Sequence, residues 1–209
     1  MGSPVFSSET EFEDAMIAAL REKSWDEVLC RPTEEDLIEN WAKILYRNNM
    51  ERDRLNGVPL TKTEMDQVLD QVAKHRTPAK LNEFINGKTV SIKRDNPDDP
   101  EHLGQEVSLY IYDRRQIAGG KSCYQIARQP RFNSQYGGRK GDLLLLINGM
   151  PLIHFELKRS GVEVGQAVSQ IERYLRSNVF TGLFSLVQLF FAMTPEETVY
   201  FTNPGTGED

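Results

Sequence analysis

Residues 141–159 read GDLLLLINGMPLIHFELKR, and this stretch constrains the fold more than any other. Two apolar runs, Leu143 to Ile147 and Pro151 to Leu157, flank Asn148-Gly149. That dipeptide is a strong signal for a β-hairpin, because both of its residues tolerate the positive φ of a tight turn. Side chains alternate along a strand, so Ile153, Phe155 and Leu157 fall on one face and Leu152, His154, Glu156 and Lys158 on the other. A carboxylate and an ammonium side by side on so apolar a strand are costly to bury without partners. The pair needs a reason.

The chemical reading is that Asp142 and Glu156 hold a divalent metal while Lys158 positions or polarises a water. Carboxylate oxygens suit a hard ion such as Mg²⁺, which keeps several waters and can supply one as a nucleophile. Hydrolysis of a phosphodiester fits that equipment. The plainer alternative is an Asp in a turn and an ordinary Glu-Lys pair on a sheet surface, worth about 0–1 kcal/mol. Register separates the two. A strict two-residue turn pairs Ile147 with Met150 and so Asp142 with Phe155, leaving Asp142 on the face away from Glu156. The metal reading therefore requires a type I turn with Gly149 as a bulge, another odd-length loop, or a strand distorted at Asp142.

Taken with the helix that follows, these residues resemble a known family. Gly141-Asp142 before the apolar run, Asn148-Gly149-x-Pro151-Leu152, Glu156-Leu157-Lys158 and then Gln170-x-x-x-Tyr174 are similar to the nuclease domain of the restriction (R) subunit of type I restriction-modification enzymes, within the PD-(D/E)xK nuclease superfamily. The short PD-(D/E)xK signature is unspecific alone; joined to the NGxPL link and the QxxxY helix it is much more specific. The resemblance implies Mg²⁺ held by Asp142, Glu156 and the Leu157 carbonyl, with Lys158 orienting the attacking water or stabilising the developing charge. It places Gln170 and Tyr174 beside the site, where an amide and a phenol could hydrogen-bond a DNA phosphate, a metal water or a catalytic carboxylate. Read without it, they are ordinary polar helix residues. Glu13 is the best match to a family glutamate that can face the site, with Glu9 next, although the helix dipole also favours acids in a first turn.

The activity so implied is endonucleolytic cleavage of double-stranded DNA, with sequence recognition and methylation left to separate specificity and modification subunits. Such R subunits also carry an ATP-driven motor after the nuclease domain. Nothing of it is visible here, and the chain resembles an N-terminal fragment of a longer subunit. Two other readings stay open: another nuclease of the superfamily, acting in repair, on junctions or alone, and an inert DNA-binding or docking module.

A net charge of −6 runs against nucleic-acid handling, but the charge is uneven. Residues 1–113 carry 14 basic and 23 acidic side chains, whereas residues 114–140 carry 7 basic ones and no acid. That block, Arg114, Arg115, Lys121, Arg128, Arg131, Arg139 and Lys140, arrives immediately before Asp142, where phosphates would need neutralising. A solvated basic loop is the alternative. Gly120-Lys121-Ser122 invites a phosphate-loop reading, which fails because Arg115 stands where the motif's first glycine belongs. Cys30, Cys123 and the three histidines show no metal-ligand spacing, and a reducing, cytoplasmic setting is the simplest fit. His154 shares the Glu156 face, where a satisfied structural histidine is expected. The opening residues lack a signal peptide, and the apolar run from Val179 to Met193 is too short to span a membrane, so no membrane partner is expected.

The length suits a single domain. Ser8-x-x-Glu11 opens a first helix over 8–22, and Thr33-x-x-Asp36, Thr61-x-x-Glu64 and Pro78 open three more, so residues 24–87 read as a helical elaboration. From Thr89 the period changes to two in TVSIKR and EVSLYIYD. With SCYQIARQPRF, the motif hairpin, the QxxxY helix, LFSLVQLFFAM and a last strand from Thr198 to Thr202, these make a catalytic core over 88–209. The expected class is α/β, restriction-endonuclease-like: a mixed central sheet of about four to six strands flanked by helices.

Overall fold

The computed structural model describes residues 5–51, 55–74, 78–85, 87–112, 122–132 and 138–204. Within them the order is α1 (Glu9–Arg21), β1 (Glu27–Cys30), α2 (Glu34–Asn49), α3 (Lys62–Val72), α4 (Pro78–Ile85), β2 (Thr89–Lys93), β3 (Glu106–Tyr110), β4 (Tyr124–Arg128), β5 (Arg131–Phe132), β6 (Arg139–Lys140), β7 (Leu143–Ile147), β8 (Met150–Leu157), α5 (Val164–Arg176), a 3-10 turn (Gly182–Leu186), β9 (Leu189–Met193) and β10 (Thr198–Thr202). Six strands form a mixed sheet in the order β1-β4-β7-β8-β9-β10. The β1/β4 and β8/β9 pairs are parallel and the other neighbours antiparallel. This is the mixed α/β architecture expected from the sequence.

The helix starts follow their capping residues. Thr33 with Asp36 and Thr61 with Glu64 form complete capping boxes. At α1 the Ser8 hydroxyl accepts from the Glu11 N–H, but the Glu11 carboxylate reaches back to Ser7 instead of Ser8. Each closure satisfies N–H groups that a helix start leaves open.

The central sheet is buried on both faces, which accounts for the unbroken leucine run of β7. Leu143, Leu145, Phe155 and Leu157 pack beneath Phe12 and Ile17 of α1. Leu144, Leu146, Phe190 and Ala192 point the other way, into a larger core with Trp41 of α2 and Ala167 and Ile171 of α5. Each fully buried Leu or Phe stabilises the fold by about 1.5–3 kcal/mol.

The hairpin departs from expectation in one respect. Asn148 and Gly149 both have positive φ, +52° and +84°, and Ile147 pairs with Met150, so the turn is the strict two-residue form and not a type I turn with a Gly149 bulge. The odd residue is inserted later. Leu146 pairs with Pro151 but Leu145 with Ile153, leaving Leu152 as a bulge in β8. Pro151 has no N–H to give the ladder, so the bulge falls where pairing is already interrupted. The Leu152 carbonyl accepts instead from the Gln188 N–H at 2.8 Å. Beyond the bulge Leu143 stands opposite Phe155, and one further step sets Asp142 against Glu156.

Two other boundaries are corrected. Residues 27–30, inside the stretch read as helical, form the edge strand β1. The β2–β3 pair, read as the opening of the catalytic core, is a separate two-stranded sheet. Gln67 and Gln71 of α3 explain its place, since their side-chain amides pair with the backbone of Lys93 and Ser91 and so cover the β2 edge. Arg94 lies fully buried behind this pair, 2.8 Å from Glu64 and 3.5 Å from Asp99. No helix among the described residues is long and apolar enough to cross a membrane.

The helical segment clamps the hairpin turn. A Cβ at Gly149 would lie 2.8 Å from the Cα of Trp41, whereas one at Gly161, also left-handed at φ +77°, would meet nothing within 4 Å. Gly149→Ala should therefore cost at least about 2 kcal/mol in denaturant unfolding, while Gly161→Ala should cost only the backbone strain of about 1 kcal/mol. Equal costs would show that Trp41 gives way freely.

Candidate active site

Asp142 and Glu156 meet at the end of β7 and β8. Asp142 Oδ2 accepts the Leu157 N–H at 2.7 Å, a bond that ties the residue before β7 to the strand opposite. Glu156 is 1% exposed, and its Oε2 has no hydrogen-bond partner among the described residues. Lys158 Nζ donates to the Leu157 carbonyl at 3.0 Å and lies 3.4 Å from Glu156 Oε1 and 3.3 Å from Glu9 Oε1. One ammonium thus faces the buried Glu156 carboxylate and the exposed one of Glu9. Burial raises Asp142 to about 7, with the Glu156 charge adding to it, and burial raises Glu156 to about 7 against the pull of Lys158.

The site rests on an aromatic floor. His154 is fully buried, with Phe132, Tyr174, Phe180 and Phe190 around its ring. Burial drives its pKa down to about 4. It is not the satisfied histidine expected: neither ring nitrogen has a hydrogen-bond partner among the described residues, and Nε2 stands 3.4 Å from Glu156 Oε2. Gly141 fits tightly over this floor, since a Cβ there would come within 2.6 Å of His154 Cε1 and 2.9 Å of Phe132 Cε2.

Gln170 and Tyr174 of α5 lie on the same side. Gln170 Nε2 donates to the Tyr174 hydroxyl at 2.8 Å, and that hydroxyl donates to the Lys140 carbonyl at 2.9 Å. The Arg139 guanidinium lies over the Tyr174 ring, 5.7 Å from its centroid. The pair therefore grips the residues that lead into Asp142.

One cleft of about 500 Å³ gathers Glu9, Glu13, Arg139, Lys140, Asp142, Glu156, Lys158, Gln170 and Tyr174, together with Thr10 and Gln129. Glu13 faces it but is engaged, with Arg128 Nε 2.6 Å from Oε1 and the Gln129 amide 3.1 Å from Oε2. Glu9, ranked second from the sequence, is the acid that reaches Lys158. Of the basic block, Arg139 and Lys140 line the cleft, whereas Arg128 is neutralised by Glu13 and Asp14. Arg114, Arg115 and Lys121 lie outside the described residues. Sequence reasoning passed over Thr10 and Gln129. The i, i+4 spacing of Glu9 and Glu13 could have marked the helix face that carries Thr10, but Gln129 offers no local signal.

The donor set suits a hard, water-rich cation. Among the described residues no three His, Cys, Asp or Glu side chains converge as a metal cluster; Asp142, Glu156 and the Leu157 carbonyl are the groups that could hold such an ion, and water would have to complete its shell. An unpartnered buried oxygen on Glu156 and two carboxyls pushed above their usual range are what an added positive charge would relieve.

Known proteins resemble this chain over most of its length. A family model described as "Type I restriction enzyme R protein N terminus" matches residues 7–209. Similar curated proteins include the type I restriction enzyme SsaAORF53P endonuclease subunit of Staphylococcus saprophyticus, 34% identical over 203 residues, and the SauCOLORF180P endonuclease subunit of Staphylococcus aureus strain COL, 31% identical over 202 residues. Each alignment covers 95% of this chain but only 20% of the relative. The EcoprrI endonuclease subunit of Escherichia coli is 34% identical over 102 residues, 48% of this chain and 32% of its own length. Matched almost from end to end and folded around the acids that the resemblance singled out, the chain belongs to the family of type I restriction enzyme R protein N termini.

Proposed function

We propose that this chain is the nuclease domain of a type I restriction complex and cuts double-stranded DNA with Mg²⁺ as cofactor. One observation carries the reading: two carboxylates, the half-buried Asp142 and the buried Glu156, are brought face to face beside Lys158 in a cleft walled by Arg139 and Lys140. The relatives' names as endonuclease subunits support it. A longer R subunit would supply the ATP-driven motor, and modification and specificity subunits would choose the DNA site.

In this proposal Asp142, Glu156 and the Leu157 carbonyl hold the metal, with Glu13 able to join if Arg128 releases it. Bound there, Mg²⁺ would supply a polarised water and offset charge on the scissile phosphate. Lys158, already on the Leu157 carbonyl, orients the water or takes up negative charge as it develops. Arg139 and Lys140 neutralise the incoming backbone. Gln170 and Tyr174 act through Lys140, keeping Asp142 in register with Glu156.

Substituting Asp142, Glu156 or Lys158 by Ala in the full-length subunit should lower DNA cleavage by the assembled complex by at least about a hundredfold while ATP hydrolysis continues. Cutting that survives all three changes would remove the site from consideration. Tyr174→Phe keeps the ring but loses the bond to Lys140, and should cost about 1 kcal/mol in chemical denaturation together with part of the cleavage rate.

Thermal melts of the chain test the metal directly. A carboxyl raised on folding lends stability that is complete below its unfolded pKa, near 4, and is lost as pH climbs through its folded value of about 7. His154, depressed to about 4, works in the opposite direction only below pH 6.5. Between about pH 6.5 and 8 the metal-free melting temperature should therefore fall, and Glu156→Gln should flatten that slope. Mg²⁺ should restore more at pH 8 than at pH 6.5, because its ligands must be deprotonated. Melts indifferent to Mg²⁺ at pH 8, even with DNA present, would favour an inert module.

A further inference from the structure

A second cleft, of about 390 Å³, abuts the first and shares Gln129, Arg139 and Lys140 with it. Arg31, Arg131 and Gly138 complete its lining. Among the described residues no carboxylate contributes, so four cations and an amide face one space in a chain whose net charge is −6. Asp36, whose field Arg131 reaches, is held by its capping bonds to Thr33. Cations gathered in this way repel one another until an anion joins them.

The backbone takes on strain to form this pocket. Parallel strands β1 and β4 run in register from Glu27 opposite Gln125 to Cys30 opposite Arg128. The next residue on each, Arg31 and Gln129, turns left-handed, with φ of +52° and +50°. Residues with such side chains adopt that conformation seldom, and strain held at matched positions points to a function. Arg31 N donates to the Arg128 carbonyl at 2.8 Å, and its Nε donates to Gln129 Oε1 at 3.3 Å. Both strands therefore stop at one level, and their next side chains line the space past their carboxyl ends, where open α/β sheets bind ligands. Arg131 is fixed beside them by its N–H, which donates to the Pro32 carbonyl at 2.8 Å.

We propose that this acid-free pocket binds a phosphodiester group of the DNA backbone flanking the one that is cut, with Arg31 and Arg131 as its guanidinium ligands. The proposal rests on the nuclease reading of the neighbouring cleft. Arg139 and Lys140 form the shared wall, so a strand crossing them sets one phosphate over the carboxylates and another in the pocket. Guanidinium forks match phosphate oxygens in pairs. The contact is to backbone and fixes register without reading sequence.

Fluorescence anisotropy of a labelled duplex, with Ca²⁺ replacing Mg²⁺ to hold back cleavage, tests this on the chain itself. Arg31→Gly deletes the side chain and suits a φ of +52°, so the fold should be kept. It should weaken duplex binding roughly tenfold and lower the slope of log K against log salt by about 0.9, one phosphate's worth. Arg131→Gln, a substitution without backbone consequence, should do the same, and serves alone should Arg31→Gly not fold. Wild-type affinity and slope in the folded variants would overturn the pocket and leave the nuclease reading standing. No duplex binding by the wild type would instead overturn the nuclease reading, and the pocket with it. Inorganic pyrophosphate provides the last arm: if it raises the melting temperature of the wild type but not of Arg31→Gly, and does not compete with the duplex, the pocket serves a free anion and the proposal falls.

Discussion

Two carboxylates sharing a buried site repel each other, and the central sheet has to hold them together against that repulsion. It does so through register. The Leu152 bulge shifts β8 by one residue against β7, and without it Asp142 would stand opposite Phe155. The approach to Asp142 is then fixed by the Leu157 N–H on its carboxylate, by the Tyr174 hydroxyl on the Lys140 carbonyl and by Gly141, which leaves no space for a side chain over His154. Lys158 offsets part of the charge, and the unpartnered Glu156 oxygen leaves part of the demand open.

The helical segment supports this arrangement from a distance. Trp41 of α2 closes against Gly149 at the hairpin turn. Asn40, on the same helix, exchanges hydrogen bonds with the buried Gln125 of β4, which also donates to Glu27 of β1. Glu34, at the start of α2, accepts the Leu183 N–H of the 3-10 turn, and burial raises its pKa. One helix thus reaches β1, β4, the β7–β8 turn and the approach to β9. Without those contacts the sheet that presents Asp142 and Glu156 would keep only the α5 part of its cover on that face.

Charge is sorted by position more than by amount. Arg128 meets Glu13 and Asp14 on α1, whereas Arg139 and Lys140, beyond β4 and next to the site, face the cleft. An acidic chain can present a cationic surface in this way, because the field felt by a ligand follows local lining and burial rather than the total.

What could be read from residue order was local. Capping residues announced α2 and α3, alternation announced β2 and β3, and Asn148-Gly149 announced the hairpin, because each signal acts over a few neighbouring residues. The two acids, Lys158, Gln170 and Tyr174 could be named as candidates through their spacing and the family likeness they carry. Tertiary structure decided the rest. Edge strand β1 is too short to show a period and exists through its pairing with β4. The bulge at Leu152 depends on Gln188 arriving from beyond α5 to take a carbonyl that the hairpin leaves free, and the burial of His154 on aromatic rings from four other segments. Those contacts join residues far apart along the chain, and no local propensity encodes such a meeting.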